Sequence, residues 1–324
     1  MSARIATVGG GRMGRGIALA FAYAGHEIAV VDLKPRPHAA FERLARDAQE
    51  EMESSLRMLA ELEAMRADAV SGIMRRIRLV PEQQAADVLG AAEVIFEGVP
   101  ETLEAKRDAF ARICAMCNAD AIVASTTSTI LVSDLAPLAT HPERIVNAHW
   151  LNPAYLIPLV ELSAHAGTAP AVVARLQALL EEIGKVPVLC GPAPGYIVPR
   201  LQALIMNEAA RMVEEGVATA EEIDKATRFG LGLRFAAIGV IEFIDFGGND
   251  ILYHASRYLS ERLSRERYSA PAIVNQLMRE GRIGLKTGEG FYDYRDRDLA
   301  AYRKDVLART LAMLRHVGLH RPPR

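Results

Sequence analysis

The sequence predicts an α/β fold with a doubly wound parallel sheet, followed by an all-α C-terminal domain. Three observations support this prediction. Short β-branched runs alternate with helical stretches over the first half of the chain. A glycine cluster at residues 9–16 follows the first run and opens an apolar helix. After the segment 191–195, strand-like runs vanish and helical patterns follow. The predicted domains are therefore residues 1–188 and 189–324.

The first domain contains eight buried runs that predict strands. Residues 5–8 and 27–32 flank the glycine-rich helix and form a βαβ unit, which implies that the two strands are parallel. The six later runs are residues 77–80, 94–99, 121–125, 145–149, 159–162 and 186–189.

A long insertion, residues 38–75, separates the second and third predicted strands. Apolar side chains recur every three or four positions from Phe41 to Leu59, which is typical of an amphipathic helix. A second helix is predicted over residues 65–74, so the insertion is a helical hairpin. Two interpretations remain open, a hairpin that packs on the sheet and a flap over a substrate.

The second predicted domain has helical patterns over residues 201–215, 220–229, 240–263 and 271–279, with a further helix in the tail. Its segments 235–241 and 243–246 are strongly apolar, so we expect an interface with a second copy and a homodimer. The alternative is that both segments form the core of the domain.

Composition and charge exclude several classes of protein. The chain of 324 residues has 38 Lys and Arg against 40 Asp and Glu, and this balance disfavours nucleic acid as a partner. We expect no membrane span and no secretory signal, because no apolar run is long enough and residues 1–4 lead straight into a strand. Three cysteines favour a reducing, cytoplasmic location. The Cys114-x-x-Cys117 pair lacks further ligands nearby, so no metal is expected.

The glycine cluster contains a dinucleotide-binding fingerprint. Residues 9–14 match G-x-G-x-x-G between a strand and a helix, and Asp32 ends the next strand near the spacing expected of a ribose ligand. A carboxylate there repels a 2′-phosphate and favours NAD, although Lys34 and Arg36 could bind such a phosphate. The sequence thus predicts a Rossmann-type domain that binds NAD through Gly9, Gly11, Arg12, Met13, Gly14 and Asp32.

Residues 125–161 carry the candidate catalytic groups. His149 ends a predicted strand, where side chains face a ligand crevice, and Glu161 lies on the next strand. A carboxylate that holds one imidazole tautomer makes the histidine a stronger base. The Ser/Thr cluster that includes Ser128 is either part of the same site or a polar loop. A histidine at a strand end, taken alone, is more often structural than catalytic.

The chain resembles the L-3-hydroxyacyl-CoA dehydrogenase family from Arg4 to Tyr294. Besides the fingerprint, the motifs recur in order: Glu97-Gly-Val-Pro-Glu101-Thr-Leu with Lys106, Ser125-Thr-Thr-Ser128, His149-Trp-Leu-Asn152-Pro153, Leu159-Val-Glu161, Pro194-Gly-Tyr-Ile-Val, and Leu285-Lys286-Thr-Gly-Glu-Gly-Phe-Tyr292.

The resemblance implies NAD-dependent oxidation of the 3-hydroxyl of a 3-hydroxyacyl-CoA. His149 would be the catalytic base, Glu161 its partner and Ser128 the hydroxyl that contacts the substrate oxygen. The second domain would mediate dimerisation. The implied cofactor contacts are Glu101, Lys106, Asn152 and Lys286, and Asn152 would also line the substrate site.

Two departures from the family pattern bear on the substrate. Pro199 stands at a substrate-binding position where the family has Asn, and proline offers neither an N–H nor a side-chain amide. The hairpin is acidic where the family often has lysine, leaving Arg57 and Arg66 as phosphate ligands. A short CoA-free 3-hydroxy acid, as in carnitine dehydrogenase or the gulonate dehydrogenase related to lambda-crystallin, is therefore the alternative substrate. A non-enzymatic NAD-binding protein is a third interpretation.

Overall fold

The computed structural model describes residues 4–321. The predicted absence of a leader at residues 1–3 lies outside this range. The described chain forms two compact units, which divide between Met206 and Asn207. The first is an α/β unit and the second is helical, so the predicted fold class is confirmed. The predicted functional boundary near residue 188 stays a prediction.

One eight-stranded sheet organises the first unit, and all eight predicted strands are present. The strand order is β3-β2-β1-β4-β5-β6-β7-β8, and every neighbouring pair is parallel except β6 and β7. The strands are β1 (Ile5–Val8), β2 (Ile28–Val31), β3 (Ile77–Val80), β4 (Val94–Glu97), β5 (Ile122–Ser125), β6 (Ile145–Trp150), β7 (Leu159–Ser163) and β8 (Val186–Cys190).

Helices cover both faces of this sheet, as expected for strands that are apolar on both sides. Two separate apolar clusters result, one containing Phe21, Phe96 and Trp150 and the other containing Ile95 and Phe110. The helices of this unit are α1 (Arg12–Tyr23), α2 (His38–Glu61), α3 (Val70–Met74), α4 (Ala85–Ala91), α5 (Leu103–Met116), α6 (Val132–Leu135) and α7 (Pro170–Glu182). The next helix, α8 (Val198–Glu214), includes the division between the two units.

The predicted helical hairpin is confirmed in α2 and α3. Met52 and Leu56 of α2 are buried in the cluster that also contains Ile17 of α1, so the hairpin packs on the sheet layer. An ion pair of 2.8 Å between Arg15 of α1 and Glu51 of α2 joins the two helices.

The second unit is built from helices, with one correction to the sequence-based prediction. The predicted helix over residues 240–263 is two helices, because Gly248 lies between them with φ +109°, which a continuous helix does not allow. The helices are α9 (Ala220–Ala226), a π-helical turn (Thr227–Gly232), α10 (Leu233–Ala237), α11 (Val240–Gly247), α12 (Asn249–Arg262), α13 (Arg265–Tyr268), α14 (Ala272–Arg279) and α15 (Leu299–His316). Within residues 4–321, no helix has the length and hydropathy to cross a membrane.

Candidate active site

The glycine fingerprint forms a tight turn between β1 and α1. A Cβ at Gly9, where φ is +107°, would lie 2.7 Å from the carbonyl oxygen of Gly98. A Cβ at Gly14 would lie 2.0 Å from the carbonyl oxygen of Gly9. No atom lies within 4 Å of the same position on Gly11, and α1 begins there without a side-chain cap. The free N–H groups of α1 and the open space at Gly11 fit a dinucleotide pyrophosphate. Arg12 and Met13 form the first turn of α1.

Asp32 follows β2 at the same edge of the sheet as the glycine turn. Its Oδ2 accepts a hydrogen bond of 2.5 Å from Arg36 Nε, and its Oδ1 accepts one of 3.3 Å from the Lys34 backbone. The carboxylate is thus oriented and partly neutralised by a guanidinium. Its predicted contact with the cofactor ribose stays a prediction.

The antiparallel pairing of β6 and β7 brings His149 and Glu161 together. The two are directly opposite in the strand register, so their side chains lie on one face of the sheet. His149 Nδ1 and Glu161 Oε2 are 2.8 Å apart, and both residues are buried. With Nδ1 facing the carboxylate, Nε2 is the ring nitrogen left for a substrate proton.

The second oxygen of the Glu161 carboxylate is held by the backbone. Oε1 accepts hydrogen bonds from the N–H groups of Ile197, at 2.9 Å, and Val198, at 2.8 Å. Burial raises the pKa of Glu161, but hydrogen bonds from His149, Val198 and Ile197 outweigh it and keep that pKa below its ordinary value. Glu161 is therefore a fixed anion that orients the imidazole.

Glu101 positions the loop that carries Ser128. Its Oε1 accepts hydrogen bonds of 3.0 Å from the backbone N–H groups of Ser128 and Thr129, and it also accepts from the Thr127 hydroxyl. Burial raises the pKa of Glu101, whereas these contacts and Lys106 lower it below its ordinary value overall. Ser128 itself is exposed, so its hydroxyl is available to a ligand.

A buried ion pair lies beneath this loop. Lys106 Nζ is 3.0 Å from both carboxylate oxygens of Glu97 and 3.6 Å from Glu101 Oε2, and the Lys106 and Glu97 side chains are 0% exposed. Ser125 donates a hydrogen bond of 2.6 Å to Glu97 Oε2. In this structure Lys106 therefore supports the Glu101 loop from within the protein, and its implied cofactor contact stays a prediction.

Three further predicted residues lie in different surroundings. Asn152 is in the loop that follows β6, together with the ring of Pro153. Pro199 is the second residue of α8, where a missing N–H costs no helical hydrogen bond. Lys286 belongs to the second unit and pairs with Asp250 at 2.8 Å. The roles of all three stay predictions.

Two residues that sequence analysis missed help to build the site. Lys185 is buried and donates hydrogen bonds of 2.7 and 2.8 Å to the carbonyl oxygens of Ala154 and Ile157. Burial lowers its pKa. Lys185 thereby fixes the loop after Asn152. The sequence signal that could have indicated its role is a lysine directly before an apolar strand. Tyr196 stacks on His149, and no local sequence pattern predicts this contact.

A metal site would need several His, Cys, Asp or Glu side chains close together. Within residues 4–321, no group of three or more His, Cys, Asp or Glu side chains could hold a metal ion. Cys114 and Cys117 are half-buried free thiols at the end of α5.

Comparison with known proteins identifies the family. The model described as "3-hydroxyacyl-CoA dehydrogenase, NAD binding domain" matches residues 4–193, and "3-hydroxyacyl-CoA dehydrogenase, C-terminal domain" matches residues 195–294. The 5-formyl-3-hydroxy-2-methylpyridine 4-carboxylate 5-dehydrogenase of Mesorhizobium japonicum is 32% identical over 97% of this chain and 98% of its own length.

Two further relatives are similar to the chain over most of its length. The lambda-crystallin homolog of Bos taurus is 34% identical over 78% of this chain and 77% of its own length. The crystal structure of a 3-hydroxyacyl-CoA dehydrogenase from Archaeoglobus fulgidus has a TM-score of 0.76 and 29% identity, and the match covers 98% of this chain and 99% of that one. The chain is an NAD-dependent oxidoreductase and belongs to the 3-hydroxyacyl-CoA dehydrogenase family.

Proposed function

We propose that the chain oxidises a secondary hydroxyl of a small carboxylic acid, reversibly, with His149 as the general base. The observation that carries this proposal is the buried His149–Glu161 pair, which leaves His149 Nε2 free to take the hydroxyl proton. Ser128, exposed on its anchored loop, would donate a hydrogen bond to the substrate oxygen. When bound, NAD supplies the hydride acceptor for the carbon that is oxidised.

The main residues proposed to hold NAD lie at the glycine turn and directly after β2. The free N–H groups at the start of α1 suit the pyrophosphate, and Asp32 suits the ribose hydroxyls. Asn152 would line the nicotinamide site. The contacts implied for Glu101, Lys106 and Lys286 belong to the same proposal.

The charge of the hairpin supports a CoA-free substrate. Residues 38–75 contain five arginines and eight carboxylates, so the segment would repel the phosphates of CoA. The two arginines suggested as phosphate ligands are already paired, Arg57 with Glu53 at 2.6 Å and Arg66 with Asp68. A CoA phosphate would have to compete with a carboxylate at each of them.

The substitution at Pro199 and one relative support the same conclusion. Pro199 cannot supply the side-chain amide that the family pattern places there for the substrate. The Mesorhizobium relative, which matches almost the whole chain, is named for a pyridine carboxylate, a compact acid without CoA.

A 3-hydroxyacyl-CoA is the second candidate substrate. It is favoured by the match of both family models and by the similarity of the Archaeoglobus structure over the whole chain. With this substrate the chemistry at His149 would be the same, and the difference would lie in the contacts that bind the acyl carrier.

A substrate panel tests this choice. Purified enzyme would be assayed with NAD against 3-hydroxybutyryl-CoA, free 3-hydroxybutyrate, carnitine and gulonate. We expect kcat/KM to be higher for one of the free acids than for the CoA ester. A clear preference for the CoA ester would reject the CoA-free proposal, and so would the absence of turnover with every free acid.

We also expect a homodimer in the cytoplasm. In the apolar segments of the second unit, Val240 and Ile241 are exposed. Phe235 and Phe243 instead pack against each other, with ring centroids 6.0 Å apart. The segments thus contribute both to a core and to an exposed apolar surface. Light scattering at micromolar concentration should give twice the chain mass of 35.3 kDa, and a monomer would reject the dimer.

A further inference from the structure

Tyr196 lies directly on the ring of His149. The two ring centroids are 4.9 Å apart and the ring planes differ by 8°, which is a stacked arrangement. Tyr196 is 7% exposed, so this contact excludes water from one face of the imidazole. Glu161 fixes the edge of the same imidazole at Nδ1. The ring is therefore held along one edge and across one face.

The hydroxyl of Tyr196 reaches the loop that carries Ser128. It donates a hydrogen bond of 2.8 Å to the carbonyl oxygen of Thr127 and accepts one of 3.0 Å from the side-chain amide of Asn147. Asn147 belongs to β6, two residues before His149. One phenol thus links the imidazole, the strand that carries it and the loop of the proposed substrate-binding serine.

The backbone at Tyr196 is strained, which indicates that its position is imposed by the surrounding contacts. Its φ is +45°, in the left-handed region that non-glycine residues rarely occupy. The next two residues, Ile197 and Val198, donate their N–H groups to Glu161. The same turn therefore supplies the stacking ring and the clamp on the partner of His149.

Tyr196 is poorly suited to donate or accept the substrate proton itself. Burial raises the pKa of its hydroxyl well above the ordinary value, and both hydrogen-bonding directions of the hydroxyl are occupied within the protein. An influence on catalysis would therefore act through His149 and Ser128.

We propose that Tyr196 is a positioning residue that sets the plane of the His149 imidazole and its distance from Ser128. This inference rests on the proposed role of His149. The stack keeps Nε2 aimed at the substrate hydroxyl, while the bond to Thr127 holds Ser128 where it meets the same oxygen. Misplacement of reacting groups by about 1 Å can reduce a rate by about 10²-fold, so such a support would affect turnover strongly.

Two variants separate the ring from the hydroxyl. Tyr196→Phe keeps the stack and removes both hydrogen bonds, and we expect kcat to fall about 5- to 30-fold, the effect of losing one to two neutral hydrogen bonds. Tyr196→Leu removes the stack as well, and we expect kcat to fall about 10²-fold. The KM for NAD should stay near the wild-type value in both, because Tyr196 contacts no residue of the glycine turn in the described structure.

The measurements are kcat, the KM values for substrate and NAD, and the melting temperature of each variant. Tyr23→Phe is the matched control, since it removes a tyrosine hydrogen bond of 3.2 Å to the carbonyl of Ala64, at the far end of α1 from the glycine turn. A lower melting temperature with unchanged kcat in Tyr196→Leu would make the role purely structural and overturn the proposal. If Tyr196→Leu does not fold, the test rests on Tyr196→Phe: a fall in kcat supports the positioning role, and wild-type kcat rejects it.

The variant His149→Gln distinguishes an incorrect positioning role for Tyr196 from an incorrect catalytic role for His149. If His149→Gln abolishes turnover while Tyr196→Phe and Tyr196→Leu keep wild-type kcat, His149 is the base and only the positioning role is wrong. If His149→Gln keeps its turnover, the proposed function fails and the positioning role falls with it.

Discussion

Two buried carboxylates lie on strands of the sheet and face different partners, Glu97 at the end of β4 and Glu161 in the middle of β7. Glu97 of β4 faces the ammonium of Lys106, and both side chains are completely buried. Glu161 of β7 faces the imidazole of His149, and the backbone holds its other oxygen. Lysine stays charged under ordinary conditions, whereas an imidazole gains and loses a proton near neutral pH. We therefore propose that a similar local geometry serves as an internal support in one place and as a proton acceptor in the other.

The two pairs also differ in what lies beside them. Lys106 and Glu97 are closed in by the protein, and their nearest polar neighbours, Ser125 and Glu101, belong to the same network. In the dyad, Glu161 contacts only Nδ1 of the imidazole, and we propose that Nε2 faces the substrate. This comparison predicts losses of activity from one pair and losses of stability from the other.

The largest effect on activity beyond His149 itself is expected at Glu161. Glu161→Gln should lower kcat about 10³-fold, because a neutral amide neither fixes the required tautomer nor stabilises the imidazolium. Steady-state kinetics at saturating NAD measures it. Glu182→Gln is the control, since it changes a His–Glu pair on the exposed side of α7, where Glu182 is 3.5 Å from His26. Equal kcat for the two variants would contradict the role of Glu161.

The Lys106 pair should respond mainly through stability. Lys106→Met leaves the Glu97 carboxylate buried without a counter-ion, and we expect the free energy of unfolding to fall by about 3–5 kcal/mol. Urea denaturation followed by circular dichroism measures this. Lys225→Met, which removes an exposed lysine paired with Glu222, should change stability little. A Lys106→Met protein as stable as wild type would show that the buried pair is dispensable.

The preference for NAD should depend on Asp32. Asp32→Ala removes the predicted ribose acceptor and releases Arg36, now held by the carboxylate, for a 2′-phosphate. We expect kcat/KM with NAD to fall and the ratio of NAD to NADP activity to drop. Asp68→Ala, which frees Arg66 in the hairpin, should leave this ratio unchanged. Unchanged kinetics with both cofactors in Asp32→Ala would exclude Asp32 from the ribose site.

The smallest expected effect concerns acid stability. The pKa of Glu161 is lower in the folded chain than its ordinary value of 4.5, so its ionised form adds stability at neutral pH. This stability is complete above the unfolded pKa and is lost as the pH falls through the lower, folded value. Glu161→Gln should therefore show a shallower loss of unfolding free energy below about pH 4.5 than wild type. Parallel curves would contradict this assignment.

The fold was largely predictable because its signals are local. Each of the eight strands is a short run dominated by apolar residues, and the glycine turn identifies the first βαβ unit. The break at Gly248 was missed because Gly248 and its neighbour Gly247 lie within an otherwise apolar helical pattern.

The site was predictable only in part. His149 and Glu161 lie on consecutive strands, so their approach followed from the sheet order. Tyr196 follows His149 by 47 residues in the sequence. Its contact with the His149 ring depends on a turn of the tertiary structure, which no local pattern predicts. The burial of Lys106 was likewise invisible, because a lysine on an amphipathic helix is ordinarily exposed and only the packing of α5 places it over Glu97.

The most direct test of the account is the turnover of His149→Gln, measured together with its affinity for NAD. We expect NAD to bind with near wild-type affinity, because the glycine turn is unaffected, and kcat to fall about 10²- to 10⁴-fold through loss of the general base. Near-normal kcat in a folded His149→Gln protein would contradict the central claim that the buried dyad performs the proton transfer.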